Sequence, residues 1–194
     1  MKSKTFVLVG SLISLLLTSL FLVYSQDSQI NRIKRSHTPL NPGEKITYLD
    51  IMDMNKETFD VSMLKPDRGY LFFIFKMPCS ACNRNLSLWI QMARILDGGT
   101  EILGIIPTGY EEARRFVEDI KGKLNFNVYV PYDADKFRKE MRLGPRTAQT
   151  ILYYNKVEYI KEGNLDGDDY TAILRKAKAM QSTGKKEDGN NETI

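Results

Sequence analysis

The sequence predicts a three-layer α/β sandwich around a mixed central sheet, preceded by one N-terminal transmembrane helix. Two observations carry the sandwich. The first is a set of short apolar runs without alternation, YLFFIF (70–75), ILGII (102–106) and VYV (128–130), as expected for strands covered on both faces. The second is that helical stripes separate these runs, and that two further apolar runs around Asn155-Lys156 come before a last helical stripe. The order β-α-β-α-β-α-β-β-α permits parallel strands with covering helices and an antiparallel closing hairpin. The transmembrane helix rests on a third observation, the uncharged run Phe6–Tyr24 behind Lys2 and Lys4.

Taken in chain order, residues 1–24 read as a membrane anchor or a signal segment. The run is longer than the ~7–15 residues of a secretory core and close to the ~20 that cross a bilayer. Val23 and Ser25 would permit cleavage after Ser25, so an anchor and a cleaved signal both stand. The N-terminal lysines place the N-terminus inside and the domain on the extracytoplasmic side of a cell membrane. Residues 25–45 are polar, carry prolines and show no period, and read as a stalk. Residues 46–180 form the domain, about 135 residues, enough to bury about two thirds of the unfolded surface. Residues 181–194, with one aliphatic side chain, read as a disordered tail. The net charge of +4 is spread among acids, which gives no support to nucleic-acid binding.

Within the domain, ITYLDIMD (46–53) and ETFDV (57–61) predict a hairpin ahead of the core strands. The first helix runs from Ser80 to Leu96, with Cys82, Leu86, Trp89, Ala93 and Leu96 on one stripe and Leu88, Met92 and Ile95 on another. Gly98-Gly99 ends it. Ala113, Phe116, Val117 and Ile120 mark a second helix, with Thr108 and Glu111 at capping-box spacing and Gly122 at its close. Asp133 caps a short third helix carrying Ala134, Phe137 and Met141. QTILYY (149–154) and VEYI (157–160) form the last hairpin, and a helix from near Asp166 buries Tyr170, Ile173, Leu174 and Ala177.

Both cysteines of the chain, Cys79 and Cys82, fall in KMPCSACNRN between a strand and the first helix. Structural zinc needs four ligands, and beside the pair there is only His37, far back in the stalk. Haem attachment requires a histidine after the second cysteine, where Asn83 stands. A purely structural bridge would close a very small loop and remove little unfolded-state entropy. The redox reading explains more. At a helix N-terminus, unpaired N–H groups and the dipole favour a thiolate at Cys79, and Cys82 one turn inside can attack a mixed disulfide. No cofactor or metal is expected. Lys76 could help Cys79 ionise or simply face solvent, and Arg84 has the same two readings. Asn85-Leu-Ser and Asn191-Glu-Thr match glycosylation sequons.

The strand FFIFKMPCSAC, the preceding DIMDMNKETFDV hairpin, the turn PYDAD and the hairpin TAQTILYYNKVEYIKEG resemble the thioredoxin-like superfamily over about residues 43–178. The nearest resemblance is to its membrane-anchored extracytoplasmic thiol–disulfide oxidoreductases, in the redoxin branch with the alkyl-hydroperoxide-reductase and thiol-specific-antioxidant-like proteins. It implies a thioredoxin-like sandwich, a redox-active disulfide between Cys79 and Cys82, and client contacts at Pro78, Thr147 and Ala148. The implied partners are cysteine-containing secreted or envelope proteins and a membrane dithiol electron donor or acceptor. The chain departs from the pattern at three places. Pro78 replaces the usual aromatic residue before the first cysteine, and Phe73 stands where thioredoxins carry a buried aspartate. Thr147-Ala148 replaces a Thr-Pro pair that faces the disulfide. Peroxiredoxin chemistry is disfavoured, because Phe72 and Lys76 occupy the positions of that family's proline and hydroxyl residue. Ser80-Ala81 between the cysteines supplies no histidine to stabilise a thiolate, which favours a reductant. The rival of a different class is a thioredoxin-like binding module with a structural disulfide and little turnover.

Overall fold

A computed structural model describes residues 18–19, 39–75, 80–96, 98–120, 122–144 and 148–187, without the side chains of 80, 81 and 183–187. The chain divides into two compact units, Met1–Thr38 and Pro39–Ile194. Of the first, only Thr18 and Ser19 are described, and both are helical. The apolar run 6–24 therefore lies almost wholly outside the described residues. Among those residues no helix is long and apolar enough to cross a membrane.

The second unit is built on one mixed sheet of β1 (Asp50–Asp53), β2 (Thr58–Asp60), β3 (Gly69–Ile74), β4 (Thr100–Ile105), β5 (Asn127–Pro131), β6 (Gln149–Tyr154) and β7 (Lys156–Glu162). The spatial order is β2-β1-β5-β4-β3-β6-β7. Strands β3, β4 and β5 run parallel, while β1, β6 and their outer partners pair antiparallel. The helices are α1 (Ser80–Ile95), α2 (Tyr110–Asp119), α3 (Ala134–Glu140) and α4 (Gly167–Glu187). The mixed-sheet sandwich and the expected element order are both present.

All six residues of β3 are buried, which is why its sequence shows no alternation. Tyr70, Phe72 and Ile74 enter one core, with Phe137 of α3, Met141 at its C-cap, and Leu40, Ile46 and Leu49 from the N-terminal stretch. Leu71, Phe73 and Phe75 enter the other, with Cys82, Trp89 and Met92 of α1, Leu96 just past its end, Ala113 of α2, and Ile173 and Ala177 of α4. Period-two strands thus feed two cores, and the middle layer is closed from both sides.

Several boundaries differ from expectation, each for a local reason. The stalk does not extend to 45. Leu40 is 4% exposed in the first core, and the Gly43 N–H donates to the Val157 carbonyl (2.7 Å) while the Val157 N–H donates to Glu44 (2.7 Å). At the other end, α4 runs to Glu187, six residues past the expected start of the tail at 181, and the Gln181 amide donates to the Thr100 hydroxyl (3.2 Å). The capping box at Thr108 does not form. Helix α2 begins at Tyr110 behind Gly109, the Thr108 hydroxyl donates to the Glu112 carboxylate, and Glu111 pairs with Arg114. The last hairpin is tighter than a two-residue turn. Asn155 alone separates the strands at φ +59°, a left-handed conformation that asparagine tolerates. The cap at Asp133 is as expected, with its carboxylate accepting from the amides of Asp135 (3.0 Å) and Lys136 (2.9 Å).

Candidate active site

The candidate site lies where β3 ends and α1 begins. Helix α1 starts at Ser80, the residue that follows Cys79 in the sequence. Cys82 falls in the first turn and is 3% exposed, within the core formed by α1, α2 and α4. Its position follows from the stripe. Cys82, Asn85, Trp89, Met92 and Ala93 are the buried residues among the described side chains of α1, Leu96 follows just past its end, and their three- and four-residue spacing is that of one helical face. Leu86 and Leu88 are half-buried and Ile95 is 46% exposed, so the inward face is narrower than the two expected stripes.

Cys79, Pro78, Lys76 and Thr147 lie outside the described residues. Arg84 is exposed, which agrees with its solvent-facing reading. Ala148 directly precedes β6, is wholly buried, and shares the core that holds Cys82. Its carbonyl accepts the Gly163 N–H (2.8 Å). Neither its side chain nor its carbonyl is exposed, which differs from the client contact expected of Ala148. The next residue, Gln149, is opposite Ile74 in the ladder. Strand β6 therefore enters the sheet at the end where β3 leaves it for the cysteine motif.

The core that Cys82 shares is aromatic. Phe73 stacks on Trp89 with ring centroids 5.0 Å apart and planes 15° apart, and Phe75 meets the same indole edge-on at 4.9 Å. The indole N–H donates to the Thr150 hydroxyl (2.9 Å), and Thr150 is the ladder partner of Phe73. The place where thioredoxins carry a carboxylate is thus part of a closed aromatic stack whose one polar hydrogen is satisfied. Among the described residues no group of three or more His, Cys, Asp or Glu is arranged to hold a metal ion.

Asn85 belongs to the site although its sequence neighbourhood reads as a glycosylation sequon. It is 1% exposed, its amide nitrogen donates to the Gly163 carbonyl (2.8 Å), and its amide oxygen accepts the Leu165 N–H (2.9 Å). The folded chain does not present it for modification. The one clue in the sequence was its place on the stripe, one turn beyond Cys82.

No family model matches the sequence, and no curated protein matches it. Solved structures do match. A thiol:disulfide interchange protein from a Bacteroides species is similar with a TM-score of 0.59 at 18% identity, over 72% of this chain and 91% of that one. The thioredoxin domain of a thiol-disulfide oxidoreductase from Bacteroides vulgatus has a TM-score of 0.56 at 18% identity, over 71% and 97%. A peroxiredoxin-like protein from Aquifex aeolicus has a TM-score of 0.57 at 14% identity, over 74% and 89%. At these identities the likeness is one of architecture, and with the mixed sheet, the β3–α1 junction and the closing β6–β7–α4 unit it establishes that this chain has the thioredoxin-like fold.

Proposed function

We propose that the chain is a membrane-tethered thiol–disulfide oxidoreductase that exchanges disulfides with extracytoplasmic client proteins through Cys79 and Cys82, as a reductant. The observation that carries this reading is Cys82, buried in the first turn of α1, with Cys79 three positions before it in the sequence. The neighbours whose names are thiol:disulfide interchange protein and thiol-disulfide oxidoreductase share the surrounding architecture and add support.

In this mechanism the Cys79 thiolate attacks one sulfur of a client disulfide. A mixed disulfide forms and one client thiolate leaves. The Cys82 thiolate then attacks the Cys79 sulfur, the second client thiolate leaves, and Cys79 and Cys82 are joined. Two electrons have passed to the client, and a membrane dithiol donor restores the pair. The helix N-terminus would favour the thiolate at Cys79, and burial shields Cys82 from reagents. Pro78 and Thr147 would contact the client chain, with Ala148 supporting them from the core.

The test uses the full chain purified in detergent. At mildly acidic pH the reduced protein should be alkylated at Cys79 well before Cys82. Cys82→Ser should accumulate mixed disulfides with clients, since no resolving thiol remains. Equal alkylation of both thiols together with no trapped adduct would favour a binding module that keeps a closed disulfide. Protease added to intact spheroplasts should digest the domain, and digestion only after lysis would overturn the orientation.

A further inference from the structure

Asn85 sits where the stripe of α1 calls for an apolar side chain. A buried amide is costly unless its hydrogen bonds are made, and both ends of this one are made to backbone outside α1. Its partners, Gly163 and Leu165, lie between β7 and α4, and Gly163 has φ +84°. This turn has no ladder of its own to satisfy the Gly163 carbonyl and the Leu165 amide, so the side chain of Asn85 does so. The same Gly163 donates its N–H to the carbonyl of Ala148. A continuous path therefore runs from the helix turn of Cys82, through the Asn85 amide and Gly163, to the residue that opens β6. Leu165, Ala148 and Cys82 lie in one core cluster around it.

We propose that Asn85 is a positioning residue, which fixes the Ala148 segment against the cysteine-bearing turn of α1 and so holds the surface on which an extended client chain is seated. This rests on the thiol–disulfide reading above. A protein client needs both Cys79 and a docking surface at the sheet end. A small disulfide needs only access to Cys79. Loss of the clamp should then separate the two kinds of substrate, through the orientation that a seated chain requires.

The experiment compares the full chain with Asn85→Asp and Asn85→Ala, using insulin as the protein disulfide and dithionitrobenzoate as the small one. Asn85→Asp keeps shape and acceptor but cannot donate to Gly163 when ionised, and Asn85→Ala loses both bonds. Expected is a fall of about tenfold in kcat/KM for insulin, chiefly through KM, while the small-disulfide rate and the reduction potential of the pair change little. Hydrogen exchange on the wild-type chain supplies a reading that needs no variant to fold. The Leu165 amide should be protected as strongly as the interior amides of α1. Equal losses on both substrates, no loss on insulin, or rapid exchange at Leu165 would each overturn the positioning role while leaving the parent reading intact. A wild-type chain that reacts with dithionitrobenzoate but never with insulin overturns both.

Discussion

Phe73 shows how one substitution is absorbed by its surroundings. The stack on Trp89, the edge contact from Phe75 and the indole bond to Thr150 fill the core that Cys82 shares. Restoring a carboxylate there by Phe73→Asp should therefore not yield a better proton relay. It removes a fully buried ring and buries an acid with no partner in the stack, a loss of at least about 3–5 kcal/mol. Urea unfolding of the variant should show it, and a midpoint near that of the wild type would mean the stack is far more adaptable than its geometry implies. At this scale the sequence was legible in part. The burial of Cys82 and Trp89 was recognisable from their place on the stripe. Asn85 was not, because a polar residue on an apolar face reads as a gap until its two backbone partners, some eighty positions away, are brought to it. The burial of Ala148 was equally hidden, since an alanine carries no hydrophobic signal strong enough to place it.

Elements were easier to locate than to bound. The strands announced themselves because burial on both faces leaves only apolar residues, whereas helix starts depend on which of several nearby oxygens captures an amide. Thr108 and Glu111 have the right spacing for a cap, yet Thr108 bonds to Glu112 and the helix begins later. Helix α4 has a reciprocal cap instead, in which Asp166 accepts the backbone N–H of Asp169 (2.9 Å) and Asp169 that of Asp166 (3.1 Å). Asp169 also accepts the Tyr159 hydroxyl and pairs with Lys161 (2.7 Å), so this carboxylate ties α4 to β7. Burial alone would raise its pKa, but the bonds from Lys161, Tyr159 and the Asp166 amide together hold it below the ordinary carboxylate value. A depressed folded pKa gives stability that is complete above the unfolded value of about 3.9 and is lost as pH falls through the folded one. Asp169→Asn should cost about 1–3 kcal/mol at neutral pH, and the gap from wild type should close in acid below about pH 4. Thermal melts across that range decide it, and a gap that persists unchanged at low pH would exclude Asp169 as the source.

For the whole molecule, the boundary of the folded unit is the point on which sequence and structure part most clearly. Proline, asparagine and glycine between 39 and 45 look like linker, yet this stretch supplies Leu40 to one core and two backbone hydrogen bonds to the outer strand β7. Its hydrogen bonds also occupy part of a sheet edge that would otherwise invite pairing with another chain. A fragment 39–187 should be more stable than 46–187 by about 1–3 kcal/mol, the burial and hydrogen bonds of the lost stretch less the entropy of ordering it. The Glu44–Arg142 pair, about two fifths exposed, should add little to this difference. Equal urea midpoints for the two fragments would return residues 39–45 to the linker. The same stretch has a mechanical consequence. Tension arriving along the polypeptide at Pro39 is borne first by the Gly43 and Glu44 bonds to Val157, at the rim of the sheet. Those two bonds peel in succession, and with Leu40 drawn from its core the six residues from Leu40 to Lys45 give about 20 Å of slack before the buried Ile46 holds. Tension at Pro39 is thus spent on a breakaway loop while the helix that holds Cys82 keeps its place.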